Sequence, residues 1–261
     1  MFDFHIHTNV SFDGRCEAWQ VLRTAREKGL KEICFTDHID HEVGVEKEIM
    51  VFDFDEYAAA YDHLQADGLK IRRGVEYGIK PHNMEQMKRE LAMLPFDFVI
   101  GSIHFLDEED VYLEPFWQGR TPETVYLQFM EETLKCVQAH EDFDVLGHLT
   151  YISKARGNPT KALVRYADYR ELTDEILKTL VEKGKGMEMN TSGMDRCGDF
   201  LPDAEYFKRF KELGGQIVTV GSDAHDADRV GQYTHRACEI LGDIFGHVCT
   251  FENRKPIFHK V

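Results

Sequence analysis

The sequence is short of positive charge. Its 31 lysine and arginine residues stand against 47 aspartate and glutamate residues, which gives a formal net charge of −16. Binding to nucleic acid or to an anionic membrane needs a basic footprint, so we expect neither kind of partner. An anionic small molecule stays compatible with this balance, because bound divalent metal ions supply positive charge locally.

Signals for export, membrane insertion and disulfide bonding are also missing. The six cysteines form no Cys-x-x-Cys pair, so they are predicted to be free thiols in a reducing compartment. No apolar run approaches the roughly 20 residues that span a bilayer. Candidate metal ligands begin at residue 5, which leaves no room for a removable leader. We therefore expect a cytoplasmic protein, and the sequence does not indicate its oligomeric state.

Short apolar runs alternate with stretches in which apolar residues recur at helical spacing. The 261 residues suit one large α/β domain covering residues 1–261. Strands that alternate with helices indicate βα units and a parallel sheet. The predicted strands lie at residues 2–6, 32–36, 70–75, 96–103, 143–147, 186–189 and 216–222. The predicted helices lie at residues 17–29, 57–64, 83–94, 122–137, 172–184, 203–214 and 234–241.

All seven predicted strands end in histidine, aspartate, glutamate or asparagine. In a (β/α) barrel the carboxyl ends of the strands converge around one opening, where catalytic groups gather. An open, doubly wound sheet would spread the same residues along a line. The pattern therefore favours a closed barrel.

The strand ends carry side chains that bind metal ions. His5 and His7 alternate with apolar residues, so both imidazoles face the same way and can hold one ion. Taken alone, two solvated histidines are an equally good interpretation of this pair. The complete set of candidate ligands is His5, His7, Asp13, His38, Glu76, His104, His148, Asp223 and His225. One ion takes roughly four to six such donors, so we predict two or three ions with Glu76 as a bridge.

Six short motifs occur in order along the chain: His5-Ile-His7, Thr36-Asp-His38, Gly74-Val-Glu76, Gly101-Ser-Ile-His104, Gly147-His148 and Gly221-Ser-Asp-Ala-His225. This ordered set resembles the motifs of the polymerase and histidinol phosphatase superfamily, and most of all its stand-alone histidinol-phosphate phosphatases. The resemblance implies a distorted seven-stranded (β/α)7 barrel with a cluster of catalytic metal ions.

The same resemblance implies three metal sites. The first would be held by His5, His7, Glu76 and Asp223. The second would be held by Glu76, His104 and His148. The third would be held by Asp13, His38 and His225. Members of the family often have histidine at the position of Asp13, which leaves the occupancy of the third site open. Zinc, manganese and iron all suit a mixed imidazole and carboxylate shell.

Two arginines follow strand ends and are candidates for binding a phosphate. A guanidinium group binds phosphate through two parallel hydrogen bonds. In the resembling phosphatases, arginines of these two loops contact the substrate phosphate, which implies this role for Arg156 and Arg196, with His38 as a further substrate contact. A surface arginine is the alternative interpretation. The proton for the leaving alcohol would come from a metal-bound water or from a site residue such as Asp223 or His225, and the sequence does not choose between them.

We therefore expect a phosphomonoesterase that hydrolyses L-histidinol phosphate to L-histidinol and phosphate by attack of a metal-bound hydroxide on phosphorus. A nuclease, or a phosphatase of nucleotides or other small molecules, is the alternative with the same metal cluster. A metal-binding regulatory protein and an amidohydrolase are further alternatives. The amidohydrolase is disfavoured, because Glu76 stands where those barrels usually have a carboxylated lysine.

Several residues near these motifs are given weaker interpretations. Asp37 could orient a ligand histidine, or it could be a turn residue. Asn190 could bind substrate or fix the site. The acidic run 107–110 is interpreted as a solvated loop, and Glu114 or a neighbour as a contact for a substrate amine.

Overall fold

Seven parallel strands form a nearly closed barrel in the computed structural model, which describes residues 1–43 and 49–261. Within these ranges the strands are β1 (Phe2–Ile6), β2 (Glu32–Phe35), β3 (His38–Val43), β4 (Ile49–Val51), β5 (Lys70–Gly78), β6 (Phe98–Ser102), β7 (Phe105–Leu106), β8 (Glu109–Asp110), β9 (Val145–Leu146), β10 (Gly186–Asn190), β11 (Val218–Gly221), β12 (His247–Glu252) and β13 (Lys255–Lys260).

Helices follow most barrel strands. The α-helices are α1 (Ala18–Glu27), α2 (Phe54–Tyr61), α3 (Met84–Leu91), α4 (Glu114–Trp117), α5 (Pro122–Ala139), α6 (Arg170–Glu182), α7 (Met194–Cys197), α8 (Ala204–Glu212) and α9 (Thr234–Phe245). Short 3₁₀ helices cover Tyr151–Lys154, Tyr166–Tyr169 and Ala227–Arg229. In residues 1–43 and 49–261, no helix has the length and apolar character needed to cross a membrane.

The barrel strands follow the order β1-β2-β5-β6-β9-β10-β11. At the carboxyl edge, β11 returns to β1, where the amide of Asp223 donates to the carbonyl of His5 at 2.8 Å. The amide of His7 donates to the carbonyl of Ala224, also at 2.8 Å. These bonds bring the first and last ligand-bearing strands side by side, which sequence separation alone would not suggest.

The α/β class and the seven-stranded barrel are confirmed, because each predicted apolar run forms one barrel strand. The distortion is visible in β1, whose register against β2 shifts between Asp3 and Ile6. The seven predicted helices correspond to α1, α2, α3, α5, α6, α8 and α9. At the start of α5 the hydroxyl of Thr121 accepts from the amide of Thr124, and Pro122 occupies the first turn, where its missing N–H costs nothing.

A hairpin of β12 and β13 packs against the amino ends of the barrel strands. Phe251 lies against Phe98 with ring centroids 4.8 Å apart, and Arg254 Nε donates to Asp144 Oδ2 at 2.5 Å. The sequence analysis did not predict this hairpin. Its alternating pattern is weak, because β13 leaves large apolar side chains such as Phe258 exposed.

Candidate metal centre

The carboxyl ends of the barrel strands surround a cavity of about 570 Å³. Seven of the nine predicted ligands line it: Asp13, His38, Glu76, His104, His148, Asp223 and His225. The other two, His5 and His7, are fully buried and contact the Glu76 carboxylate from below. The fold therefore brings all nine predicted ligands to one place.

The residues assigned to the first ion converge on a single point. His5 Nε2 lies 3.0 Å from Glu76 Oε2, and His7 Nε2 lies 3.3 Å from the same oxygen. Asp223 Oδ1 is 3.4 Å from His7 Nε2 and 3.7 Å from His5 Nε2. One ligand atom from each of these four residues can therefore reach the same metal ion.

The second set uses the other oxygen of Glu76. Glu76 Oε1 lies 2.8 Å from His148 Nε2 and 3.2 Å from His104 Nε2. Ser102 donates its hydroxyl to the same oxygen at 2.6 Å, which holds the carboxylate in this orientation. Because Oε2 faces the first set and Oε1 the second, Glu76 has the geometry of a bridging carboxylate.

The third set gathers three imidazoles around one carboxylate. Asp13 Oδ2 lies 2.9 Å from His225 Nε2 and 3.7 Å from His38 Nε2. The ring of His7 is stacked between the other two imidazoles, 4.3 Å from His38 and 4.2 Å from His225. His7, His38 and His225 can therefore share an ion, with the Asp13 carboxylate alongside.

Unsatisfied polar atoms test whether these residues fit metal ions. Buried polar atoms in folded proteins almost always have a hydrogen-bond partner. Six buried atoms of the predicted ligands lack one in the described structure: His5 Nε2, His7 Nε2, Asp13 Oδ1, His38 Nδ1, Glu76 Oε2 and His148 Nδ1. Imidazole nitrogens and carboxylate oxygens are the donors that zinc and related divalent ions prefer. The chemistry and placement of these atoms fit a cluster of such ions.

Electrostatics favour the ionised form of the central carboxylate. Burial alone would raise the pKa of Glu76, but imidazoles outweigh burial and hold that pKa well below its usual value. The imidazoles that lower the pKa most are those of His5, His38, His104 and His148. Burial also raises the pKa of Asp13, and the neighbouring imidazoles lower it by more, so the pKa of Asp13 is lowered as well. Both carboxylates are therefore ready to bind a cation.

A glutamate that the sequence analysis missed supports the first set. Glu188 Oε1 lies 2.6 Å from His5 Nδ1, and Oε2 accepts from the amide of His148 at 2.9 Å. Asn190 donates to the same carboxylate at 3.1 Å, so it fixes the site from within. Gly221 leaves room for this contact, since a Cβ there would lie 2.2 Å from Glu188 Oε1. The signal was available: Glu188 and Asn190 are two residues apart on one strand face.

Asp40 supports the second and third sets and was also missed. Both of its oxygens lie 3.1 Å from His104 Nδ1, and Oδ2 lies 3.2 Å from His38 Nδ1. A carboxylate at Nδ1 fixes the tautomer and the orientation of an imidazole that binds metal through Nε2. Gly78 makes space for it, since a Cβ there would lie 1.9 Å from Asp40 Oδ1.

Asp37 acts on a ligand through an intermediate hydroxyl. Asp37 Oδ1 accepts from Ser11 Oγ at 3.0 Å, and Ser11 Oγ lies 3.4 Å from His7 Nδ1. The same oxygen accepts from the amide of Thr8 at 2.8 Å, and Oδ2 accepts from the Tyr61 hydroxyl. The orienting interpretation of Asp37 therefore describes its contacts better than a turn residue does.

A lysine that the sequence analysis did not single out lies at the cavity wall. Lys154 ends the Tyr151–Lys154 helical turn, and its ammonium group pairs with Asp223 Oδ2. It also donates to Ser192 Oγ at 2.9 Å. Only 11% of the side chain is exposed, so this positive charge is directed into the cavity.

The two predicted phosphate-binding arginines differ in position. Arg196 lines the cavity, donates to the carbonyl of Lys154 at 3.1 Å and lies over the Tyr112 ring. Arg156 is absent from the cavity wall; its side chain is 67% exposed, with Nε 3.8 Å from Glu114 Oε1. The phosphate contact of Arg156 stays a prediction, and the geometry points to Lys154 beside Arg196 instead.

Comparison with known proteins agrees with this architecture. The model of the PHP domain family matches residues 3–192. The chain belongs to the PHP domain family. Asp223 and His225 lie beyond the matched residues, and the closure of β11 onto β1 joins them to this PHP domain's other ligands.

Relatives of this PHP domain share nearly its full length. A probable histidinol-phosphatase of Clostridium acetobutylicum is 31% identical, covering 100% of this chain and 97% of the relative. The histidinol-phosphatase of Lactococcus lactis is also 31% identical, over 97% and 95% of the two chains. A crystal structure of histidinol phosphate phosphatase from Lactococcus lactis, complexed with zinc, L-histidinol and phosphate, superposes with a TM-score of 0.88. It is 29% identical and covers 98% of both chains.

Proposed function

We propose that this PHP domain is a metal-dependent phosphomonoesterase that hydrolyses L-histidinol phosphate to L-histidinol and inorganic phosphate. The observation that carries the proposal is the Glu76 carboxylate, whose two oxygens face two separate sets of imidazoles at the base of one cavity. The relatives that align over nearly the whole chain support the choice of substrate.

Three groups of residues would hold divalent ions of zinc, manganese or iron. Bound there, the ions would lower the pKa of a water molecule and neutralise charge on the phosphoryl oxygens. Glu188 and Asp40 keep the ligand imidazoles in place through their Nδ1 atoms. The protein thus provides a rigid cluster, so little reorganisation is needed when substrate binds.

Lys154 and Arg196 would bind the phosphoryl oxygens from the cavity wall. Both groups are cationic and both line the cavity above the ligand cluster. They are linked, because Arg196 donates to the backbone carbonyl of Lys154. A phosphomonoester gains charge-assisted hydrogen bonds from such groups in addition to contacts with metal ions.

The leaving alkoxide must take up a proton when its bond to phosphorus breaks. Asp223 and His225 are the two candidates. His225 Nδ1 donates to the carbonyl of Asp223 at 3.0 Å, which directs its Nε2 toward Asp13 and a ligand role. Asp223 Oδ2 is directed instead toward Lys154 and Ser192 at the cavity wall. We therefore assign delivery of this proton to Asp223 and not to His225.

Phosphate release by the purified, zinc-loaded protein tests the proposed function. The panel contains L-histidinol phosphate, nucleoside monophosphates, phosphotyrosine and a 3′-phosphorylated oligonucleotide. We expect the highest kcat/KM for L-histidinol phosphate. A higher value for the nucleotides or the oligonucleotide would contradict the proposal and favour the nuclease-type alternative. A cytoplasmic location and the lack of a nucleic-acid partner stay predictions.

A further inference from the structure

The charged side chains around the cavity, outside the ligand cluster, are mostly paired. Arg229 Nη2 lies 2.6 Å from Asp195 Oδ2, and Arg15 Nη1 lies 3.6 Å from Asp226 Oδ2. Lys154 is paired with Asp223. Two cavity-lining charges of opposite sign remain without an ionic partner in the described part of the chain, and they are Asp110 and Arg196.

Asp110 is a half-buried carboxylate at the wall of the cavity. Its Oδ1 accepts from the amide of Tyr112 at 2.8 Å, and no lysine or arginine among the described residues forms an ion pair with it. Burial raises the pKa of Asp110, and the hydrogen bond from Tyr112 offsets this only in part. The carboxylate has lost water without gaining a lysine or arginine partner among the described residues, so a cationic ligand would stabilise it.

The interpretation of residues 107–110 as a solvated loop is therefore incomplete. Asp107 and Glu108 form the exposed turn of the β7–β8 hairpin, with φ values of 49° and 64°. Asp110 lies on the far side of that hairpin and lines the cavity. The amide of the next residue, Val111, donates to the carbonyl of His104 at 3.1 Å, which places Asp110 beside the second ligand set.

Tyr112 connects the two unpaired charges. Its amide binds Asp110, and its ring lies 5.2 Å from the guanidinium carbon of Arg196. The cavity therefore has the unpaired cation Arg196 and the unpaired anion Asp110 on either side of Tyr112. A ligand that matches this arrangement carries a negative group and a positive group a few bonds apart.

We propose that Asp110 binds the ammonium group of an aminoalkyl phosphate while Arg196 and the ligand cluster hold its phosphate. This inference rests on the proposed function and extends it, because it assigns the substrate amine to one residue. Discrimination between phosphate esters then depends on the positive charge of the alcohol. An ester that lacks the amine leaves Asp110 buried without a cation, which costs transition-state binding.

Two substrates and three variants of the full-length, zinc-loaded protein test the inference. The substrates are L-histidinol phosphate and its analogue in which hydrogen replaces the amino group. We expect the wild type to favour the amine-bearing ester by about tenfold in kcat/KM, chiefly through KM. Asp110→Asn should bring this ratio close to one, because it lowers kcat/KM for the amine-bearing ester and removes the cost that the buried carboxylate imposes on the des-amino ester. Asp110→Glu should keep part of the preference.

Glu109→Gln is the matched control. Glu109 is the neighbouring residue of β8, is paired with Arg120 and faces solvent, so the control should keep the wild-type ratio. Zinc content and circular dichroism show whether each variant is folded and loaded.

The outcomes separate the two proposals. If Asp110→Asn keeps the full preference, or if the wild type has none, the assignment of Asp110 is wrong while the phosphatase function stands. If the wild type hydrolyses neither ester, the proposed function fails, and the assignment fails with it.

Discussion

The two ends of the barrel treat buried charge in opposite ways. At the base, the β12–β13 hairpin provides a partner for each charge that it covers: Arg254 binds Asp144, and Arg72 joins Glu32 to Glu252 at 2.7 and 2.6 Å. At the mouth, imidazole and carboxylate atoms are buried without hydrogen-bond partners. At the base, the buried charged groups are paired within the chain, whereas at the mouth the unpaired groups are suited to bind a ligand.

This difference has an energetic consequence. An unsatisfied buried polar atom costs about 1–3 kcal/mol, so the mouth lowers the stability of the metal-free protein. The base and the apolar layers between barrel and helices must offset that cost. Substitutions at the two ends should therefore have different effects: those at the mouth should reduce activity, and those at the base should reduce stability.

The largest expected effect is at the bridging carboxylate. Glu76→Gln removes the charge that faces both imidazole sets, so we expect phosphatase activity to fall by about 10³-fold or more. Circular dichroism should show a retained fold, because glutamine has nearly the same shape. If Glu76→Gln kept activity within tenfold of wild type, the mouth of the barrel would not be the part on which activity depends.

A smaller effect is expected where the mouth is supported from behind. Asp40→Asn weakens the contacts to His104 and His38, and losing such a partner typically costs about 10–100-fold in metal affinity. Zinc content after dialysis against graded chelator measures this directly. Asp110→Asn is the control: in the described structure the Asp110 side chain accepts a hydrogen bond from the Tyr112 amide and forms none with a ligand imidazole, so this variant should leave zinc affinity unchanged. Equal zinc retention in Asp40→Asn and wild type would show that Asp40 does not position ligands.

At the base, the expected effect is on stability. Arg254→Met leaves the buried Asp144 carboxylate without its cation, and we expect a loss of about 2 kcal/mol in the free energy of unfolding. Burial already raises the pKa of Asp144 and Arg254 opposes this, so the variant should lose more stability at pH 7 than at pH 4. Denaturant titration at both pH values measures the difference. The kcat of the variant should stay at the wild-type value, and a large fall in kcat would mean that the two ends are coupled.

The smallest effects concern the two predicted phosphate-binding arginines. Arg196→Met should lower kcat/KM for L-histidinol phosphate by about tenfold, because it removes a cavity-lining cation. Arg156→Met should change it less, since the Arg156 side chain lies outside the cavity wall beside Glu114. Steady-state kinetics of both variants rank them, and a larger effect at Arg156 would restore its role as the main phosphate contact.

The positions of the seven barrel strands, of the seven predicted helices and of the candidate ligands follow from local patterns in the sequence. Alternation along residues 2–7 places His5 and His7 on one face, and a run ending in Glu76 identifies a strand end. Such signals depend only on near neighbours in the chain. For that reason the barrel strands could be predicted without coordinates, and so could the candidate ligands at their ends, whose role as ligands stays a prediction.

Other features depend on which segments become neighbours, and only the tertiary structure decided them. The contacts of Glu188 with His5 and of Asp40 with His104 form only when the barrel is assembled, because in neither case do the two residues belong to strands that pair with each other. The helical turn at Tyr151–Lys154 directs Lys154 into the cavity and Arg156 out of it, although the two are separated by one residue. The sequence determines which chemical groups are present near the strand ends. Packing determines which of them face the cavity, because small rotations of a short turn reverse the direction of a side chain.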